Sequence, residues 1–266
     1  MPSEGKTWRM IDLHNKTIFI SGSGGVLGTA YISHMLRAGA IVIATELPNE
    51  RADKLMDLFG SQKNFIFRNL DVTNESQIDA IFKSLEADGF VPNVVINNAA
   101  LTGELLMNKG QEFPDFAATT LDAWEAAMRV NLTGAFLLAR QMDKDIVGKH
   151  DAKLINVASM YALRGPHHAI YEGMPFKSFA AYSASKAGIH GLTVWLASYW
   201  SNRNCTVNTI APGAVYNNHS SQFQSRVNPL IMLNRMADPS EISNAMMFLC
   251  SDASNYINGQ LLNVDG

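Results

Sequence analysis

Short apolar runs alternate with longer stretches of helical periodicity along the 266 residues of the chain. Most of the short runs are apolar at consecutive positions, which is typical of strands covered on both faces of a parallel sheet. They predict strands at 17–21, 41–44, 65–70, 94–97, 154–158, 205–210 and 261–264. Apolar residues at helical spacing predict helices at 26–38, 50–59, 75–86, 121–147, 179–200 and 239–249.

This alternation predicts an α/β fold, a single-domain, doubly wound parallel sheet of about seven strands with helices on both faces. In such a Rossmann-like fold the crossovers are right-handed, and ligands bind at the carboxyl ends of the strands. One domain is expected over residues 1–266, of which 1–15 form an N-terminal extension.

Composition narrows the classes of partner. A formal net charge of −3 gives no basic field for nucleic acid. No apolar run approaches the length of a membrane span, and the polar N-terminus lacks the apolar stretch of a signal peptide, so we expect a cytoplasmic protein without membrane insertion. Cys205 and Cys250 lack metal-ligand spacing, which favours buried, reduced thiols and no metal site.

A glycine-rich turn follows the first predicted strand. Gly22, Gly25 and Gly28, with Val26 and Leu27 between the last two glycines, lead directly into the helical pattern at 26–38. Glycines allow a tight turn and close backbone approach, while the N–H groups at the start of a helix attract a pyrophosphate. The turn therefore predicts a dinucleotide site, and a loop that needs only flexible backbone is the alternative.

An acidic residue ends the second predicted strand. Glu46 lies about 20 residues beyond the glycines, where a carboxylate accepts hydrogen bonds from the adenosine ribose hydroxyls. Its charge would also repel a 2′-phosphate, so NAD is the expected cofactor. NADP is the second choice because Arg51 is nearby. A solvated residue at the end of a strand is the structural alternative for Glu46.

Tyr182 and Lys186 provide candidate proton-transfer chemistry. They are four residues apart in the helical pattern at 179–200 and therefore share one helix face. An ammonium near a phenol favours the phenolate, which lowers the phenol pKa from about 10 towards neutrality. Ser159 ends a predicted strand upstream and could hydrogen-bond a substrate oxygen. Taken singly, Ser159 could be a turn former and Lys186 a solvated helix residue.

The order of these motifs resembles the short-chain dehydrogenase/reductase family from about residue 16 to residue 266. The carriers of the resemblance are the glycine turn, Asp71-Val72, Asn97-Asn98-Ala99-Ala100, Asn131, Ser159, Tyr182 with Lys186, Pro212-Gly213 and Val264-Asp265-Gly266. The glycine spacing departs from the family's common pattern, since Val26 stands where that pattern has glycine. Asn217 likewise replaces a frequent threonine.

The resemblance implies a catalytic tetrad. Tyr182 would be the general acid/base, Lys186 would lower its pKa and hold the nicotinamide ribose, and Ser159 would bind the substrate oxygen. Asn131 would anchor a proton-relay water. Cofactor contacts are implied for Asp71, Val72, Asn97, Ala99, Pro212, Gly213 and Val215.

Ser159 and Tyr182 are separated by 22 residues, about ten more than the common family spacing. This insert, residues 160–181, should overhang the catalytic mouth. Its candidate substrate contacts are Tyr161, Arg164, His167 and Tyr171, because polar donors mixed with aromatic rings suit a sugar or a phosphorylated sugar. A solvated loop is the alternative. The insert resembles that of flagellin-modification oxidoreductases of nonulosonic-acid pathways.

Residues 214–234 resemble the family's substrate lid, whose apolar residues could close over a ligand or pack between subunits. The chain is thus expected to be an NAD(P)-dependent oxidoreductase that transfers hydride between nicotinamide and a secondary alcohol or ketone of a sugar or nucleotide sugar. A ketoreductase of acyl-carrier or small carbonyl substrates is one alternative, and a non-catalytic cofactor sensor is another. The family resemblance also implies a homo-oligomer, either a dimer or a tetramer.

Overall fold

The computed structural model describes residues 11–103, 115–174 and 176–266. One parallel sheet runs through them in the order β3-β2-β1-β4-β5-β6-β7. Its strands are β1 (Thr17–Ser21), β2 (Ile41–Glu46), β3 (Phe65–Asn69), β4 (Val94–Asn97), β5 (Ala152–Val157), β6 (Cys205–Pro212) and β7 (Leu261–Val264). The predicted doubly wound parallel sheet of about seven strands is confirmed.

Helices cover both faces of this sheet. They are α1 (Val26–Arg37), α2 (Glu50–Phe59), α3 (Glu75–Ala87), α4 (Leu121–Met128), α5 (Gly134–Asp145), α6 (Ala180–Tyr199), α7 (Ser221–Val227) and α8 (Pro239–Cys250). Ile18 and Ile20 of β1 pack on the side of α1, α2 and α8, whereas Phe19 packs on the side of α3, α5 and α6. Consecutive apolar residues in β1 therefore serve two cores, as the absence of alternation predicted.

Local capping fixes where several helices begin. The Asn49 side chain accepts hydrogen bonds from the N–H groups of Arg51 and Ala52, and thereby starts α2. At α8 Asp238 and Glu241 form a reciprocal capping box. These side chains satisfy N–H groups that have no partner within the helix.

Three details differ from the sequence prediction. The predicted helix at 121–147 consists of α4, a π-helical segment (Arg129–Thr133) and α5. Residues 214–234 contain α7, which was not predicted because only Phe223 and Val227 are buried in so short a segment. Leu13, from the predicted N-terminal extension, is buried in the core beneath α1, while residues 1–10 lie outside the described residues.

Candidate active site

A cleft of about 1090 Å³ opens at the carboxyl ends of the strands, where the strand order reverses between β1 and β4. Most of the predicted site residues line it together. They are Gly22, Gly25, Val26, Leu27, Gly28, Glu46, Asp71, Val72, Ala99, Ser159, Tyr161, Tyr171, Tyr182, Lys186, Pro212, Gly213 and Val215. Four others do not line it, namely Asn97, Asn131, Arg164 and His167.

The glycine turn packs against neighbouring backbone. Gly22 has a φ of +63°, and a Cβ atom there would lie 2.5 Å from Ala99 Cα. At Gly28 a Cβ atom would lie 2.5 Å from the carbonyl oxygen of Ser23. Both positions therefore require glycine, because any side chain would displace backbone.

The start of α1 suits an anion. Gly25, its N-cap residue, provides no side-chain cap, and the first turn contains no acidic residue. The N–H groups of this first turn thus have no side-chain hydrogen-bond partner at the edge of the cleft. This arrangement fits the pyrophosphate of a nicotinamide dinucleotide.

Two carboxylates lie in the cleft near the ends of β2 and β3, at positions where the sequence predicted contacts to adenosine. Glu46 is buried, and its Oε2 atom accepts a hydrogen bond of 2.8 Å from the N–H of Gly24. The side chain is therefore tied to the glycine turn at the end of β2. Asp71, at the end of β3, accepts hydrogen bonds from the N–H and hydroxyl of Thr73, which hold one carboxylate oxygen in place.

Lys186 is almost fully buried beneath the cleft. Its Nζ atom lies 5.7 Å from the centre of the Tyr182 ring and donates a hydrogen bond of 2.7 Å to the carbonyl oxygen of Val157. Burial lowers the pKa of Lys186 to about 8, because the charged ammonium loses its hydration. The predicted proximity of the phenol and the amine is thus present.

Burial raises the pKa of Tyr182, while a hydrogen bond with Ser159 acts in the opposite direction and the nearby Tyr161 raises it further. The protein alone therefore holds Tyr182 as a neutral phenol, and the lowering of its pKa that the sequence predicted from Lys186 is not found, because burial outweighs it. A nicotinamide dinucleotide bound in this cleft would supply the hydride donor or acceptor and, when oxidised, a positive charge that favours the phenolate.

Ser159 is fixed where β5 ends. Its Oγ atom accepts a hydrogen bond of 3.2 Å from the N–H of Tyr161 and caps the 3₁₀ turn Met160–Ala162. The side chain is buried, and its hydroxyl lies near enough to Tyr182 to act on the pKa of that phenol. Two hydroxyl groups are thus placed together where one substrate oxygen could receive hydrogen bonds from both.

Asn131 and Asn97 lie behind the lining of the cleft. Asn131 Oδ1 accepts a hydrogen bond of 2.6 Å from the N–H of Leu101, and its Nδ2 atom donates to Leu101 O and to Ser185 Oγ. Asn97 Nδ2 donates a hydrogen bond of 2.6 Å to Asn156 Oδ1 on β5. These amides connect backbone segments and strands, while the water-anchoring role of Asn131 stays a prediction.

The insert divides its candidate substrate contacts between the cleft and the surface. Tyr161 and Tyr171 line the cleft, and their hydroxyl oxygens are 2.6 Å apart. Arg164 instead forms an ion pair of 3.0 Å with Asp265, and His167 precedes the 3₁₀ turn that positions Tyr171. The predicted substrate role of Arg164 is therefore not supported by its position.

Further aromatic residues beside the predicted Tyr171 complete the cleft. Tyr171, Phe176, His219 and Phe223 form an aromatic wall beside Tyr182. The ring centres of His219 and Phe223 are 4.9 Å apart, and those of Phe176 and Phe223 are 5.3 Å apart. The only sequence signal was aromatic enrichment at the end of the insert and in the lid segment.

The insert and residues 214–234 contact each other. Arg226 of α7 donates hydrogen bonds to the carbonyl oxygens of Ile170 and Glu172. Ile170 and Tyr171 pack in one apolar cluster with Phe223. We call the described parts of these two segments the roof, because they cover the substrate side of the cleft as one packed unit.

Nowhere in 11–103, 115–174 and 176–266 do three or more His, Cys, Asp or Glu residues gather in a way that could hold a metal ion. In the same ranges, none of the helices combines the length and apolar character that crossing a bilayer requires.

Comparisons with known proteins agree with this geometry. A family model described as "Enoyl-(Acyl carrier protein) reductase" matches residues 25–266. A 3-oxoacyl-[acyl-carrier-protein] reductase of Aquifex aeolicus is 28% identical over 96% of this chain and 98% of its own length. A short-chain dehydrogenase from Leptospira borgpetersenii, solved with bound NAD+, superimposes with a TM-score of 0.83 at 27% identity and covers 99% of this chain and 98% of its own.

A second solved structure is a gluconate 5-dehydrogenase from Burkholderia cenocepacia in complex with NADP and tartrate. It superimposes with a TM-score of 0.82 at 25% identity and covers 97% of this chain and 96% of its own. The solved neighbours thus include both an NAD+ complex and an NADP complex.

Proposed function

Because the chain belongs to the short-chain dehydrogenase/reductase family, and so is an NAD(P)-dependent oxidoreductase, we propose that its substrate is a sugar with a secondary alcohol or ketone. The observation that carries this proposal is the placement of Ser159 and Tyr182 in one cleft that is also lined by aromatic rings and tyrosine hydroxyls. A sugar presents apolar C–H faces to rings and hydroxyls to polar groups.

The tetrad members that line the cleft have separate tasks. Ser159 donates a hydrogen bond to the substrate oxygen, and Tyr182 gives or takes the proton of that oxygen. Lys186, held by Val157 O and 5.7 Å from the centre of the Tyr182 ring, would bind the nicotinamide ribose through its ammonium. Its charge stabilises the phenolate when the proton leaves.

NAD is the preferred cofactor in this proposal. Glu46 places a buried carboxylate at the end of β2, where a 2′-phosphate would meet like charge. Arg51 also lines this end of the cleft, which reduces the preference without reversing it. Binding of NADH and NADPH, compared by titration, tests this part: tighter binding of NADPH would reject it.

The insert supports a sugar substrate over an acyl chain. Its resemblance to flagellin-modification oxidoreductases points to a nonulosonic-type sugar, and Tyr161 with Tyr171 offers two hydroxyls at the cleft. A phosphate-binding role for Arg164 is no longer part of the proposal, because its guanidinium pairs with Asp265.

The second candidate is a ketoreductase of acyl-carrier substrates, which the Aquifex aeolicus relative favours. Oxidation or reduction of NAD(P)(H), followed by absorbance with gluconate, a nonulosonic acid, UDP-glucose and acetoacetyl-CoA, separates the two. Turnover of a sugar supports the proposal. Turnover of acetoacetyl-CoA alone favours the second candidate, and cofactor binding without any turnover favours a sensor.

Assembly and location belong to the same proposal. Trp195 and Tyr199 stack at 4.8 Å on an exposed face of α6, which suits a homo-oligomer interface. Cys205 and Cys250 are both free and buried, as reduced thiols of a cytoplasmic protein would be. Light scattering checks the assembly, and a monomer at micromolar concentration would reject it.

A further inference from the structure

Ser185 lies inside the Tyr182–Lys186 motif but has no part in the proton transfer described above. Its side chain is fully buried on the face of α6 that meets the π-helical segment. The Oγ atom donates a hydrogen bond of 2.9 Å to the carbonyl oxygen of Tyr182 and receives one of 3.0 Å from Asn131 Nδ2. One hydroxyl thus joins the catalytic turn to a different element.

Helix stability does not account for this serine. A serine that donates to the carbonyl three residues earlier competes with the helix ladder and slightly destabilises or bends the helix. Here the donation to Tyr182 O also orients the hydroxyl, so that a lone pair faces Asn131. The geometry therefore indicates that Ser185 connects two elements and does not serve to stabilise the helix.

Asn131 extends the connection to the cleft. It lies in the π-helical segment, a local distortion that is frequent at functional sites. Its amide binds both backbone groups of Leu101, at 2.6 Å to the N–H and at 3.2 Å to the carbonyl oxygen. Leu101 lines the cleft directly after the Asn98–Ala100 segment, on the side of β4.

Lys186, the next residue, is held from another direction. Its Nζ atom reaches Val157 O at the end of β5. Neighbouring helix residues are about 100° apart around the axis, so the two contacts together define the rotation of this turn. Tyr182, one turn earlier, takes its position from that rotation.

We propose that Ser185 is a positioning residue, which couples the cleft-lining backbone at Leu101 to Tyr182 through the Asn131 amide. Replacing Ser185 changes none of the residues that touch substrate or cofactor. It removes the contact that sets their relative position. Asn131 then retains only its bonds to Leu101.

The test compares Ser185→Ala with Ser183→Ala, a matched control two residues away in the same motif. Amide hydrogen exchange is measured on the protein without added ligand. In Ser185→Ala the Leu101 amide is expected to exchange about tenfold faster, because Asn131 is no longer held from behind. A role confined to α6 would change exchange in that helix only, and this result would overturn the proposal.

A second readout follows Tyr182 itself. Tyrosinate absorbance is titrated with saturating NAD+, or NADP+ if that binds more tightly, and the Tyr182 step is isolated by subtracting the matching Tyr182→Phe variant. The polar and titratable groups that face this phenol include Ser159, Tyr161, Tyr171 and Lys186. Ser185→Ala is expected to move the step upward by about one pH unit, because the phenol loses its alignment with Ser159.

Two more variants keep the test decisive. Ser185→Thr retains a hydroxyl and should restore both readouts, whereas Ser185→Cys keeps the size but accepts a hydrogen bond poorly and should give intermediate changes. If Ser185→Ala does not fold, Ser185→Cys takes its place. Wild-type behaviour of folded Ser185→Ala or Ser185→Cys, or an equal change in Ser183→Ala, would overturn the proposal.

Discussion

The two sides of the cleft are built in different ways. The cofactor side consists of strand ends and one helix start, with Gly22, Gly28 and Glu46 held by backbone that lies close by. The substrate side is the roof, in which Arg226 and Phe223 contact the insert more than 50 residues away along the chain. The ends of regular strands and helices, which sequence patterns predict, specify the first side, whereas packing between two connecting segments specifies the second.

The catalytic residues lie at the junction of these two sides and give the largest expected effect. Tyr182→Phe should reduce turnover by roughly 10²- to 10⁴-fold while NADH binding stays within about twofold, because only the proton donor is lost. Steady-state kinetics and NADH titration measure this. Tyr199→Phe, on the exposed face of the same helix, is the control. Equal turnover of the Tyr182 variant would refute the role.

Burial of the Lys186 side chain at this junction lowers the free energy of unfolding. Its pKa falls from 10.5 to about 8 on folding, which corresponds to a penalty of about 3 kcal/mol at neutral pH. The unfolded chain binds the extra proton between these values, so the free energy of unfolding should rise with pH from about 8 to 10.5.

Lys186→Met removes this contribution and loses one hydrogen bond worth about 1 kcal/mol. We expect the variant to be inactive and more stable than wild type by about 2 kcal/mol at pH 7. This difference in stability should shrink as the pH rises, because the wild-type protein becomes more stable. Urea unfolding at several pH values measures the difference. Lys149→Met, at an exposed site, should follow the wild-type profile; parallel profiles for all three proteins would contradict the account.

A pair of glycine variants tests the close packing of the cofactor side. Gly28→Ala should lower the free energy of unfolding by about 1–3 kcal/mol and weaken NADH binding, because the new methyl group meets Ser23 backbone. Gly191→Ala has open space around it in α6 and should be stabilising by about 0.5–1 kcal/mol. Thermal unfolding and NADH titration test both. If Gly28→Ala changes neither the stability nor NADH binding, the close-packing argument is wrong.

The roof gives the smallest expected effect. Arg226→Met should raise KM for the substrate that the panel identifies by about 3- to 10-fold, with NADH affinity unchanged, because the two roof segments lose their hydrogen bonds. Arg37→Met, at the exposed end of α1, is the control for a lost arginine. A change in NADH affinity without a change in KM would show that the roof does not act on the substrate side alone.

Sequence patterns predicted the cofactor side well for a physical reason. Each strand is marked by an apolar run in the sequence, and the carboxyl ends of parallel strands lie at the same edge of the sheet. The positions of Glu46 and Ser159 at this edge could therefore be predicted without knowing any tertiary contact. The two roof segments were predicted to lie over the site, but their contact with each other was not, because Phe223 is buried by packing against Ile170 and Tyr171, far away along the chain. Arg164 looked equally suited to a ligand until its partner, Asp265, was known.

The π-helical segment shows the same limit at smaller scale. Residues 121–147 have continuous helical periodicity, yet Asn131 bonds to Leu101 and Ser185, which no local pattern reveals. The sequence selected Asn131 through a family resemblance. Only the tertiary structure shows that its amide holds backbone and a buried hydroxyl.

A structure of the protein with bound NADH tests the central claim most directly. The account predicts that the pyrophosphate lies at the start of α1 and that the nicotinamide ribose lies within hydrogen-bonding distance of Lys186 Nζ, about 2.7–3.2 Å. The nicotinamide ring should then face the hydroxyls of Tyr182 and Ser159. A dinucleotide bound elsewhere, or one whose nicotinamide points away from these residues, would contradict the account.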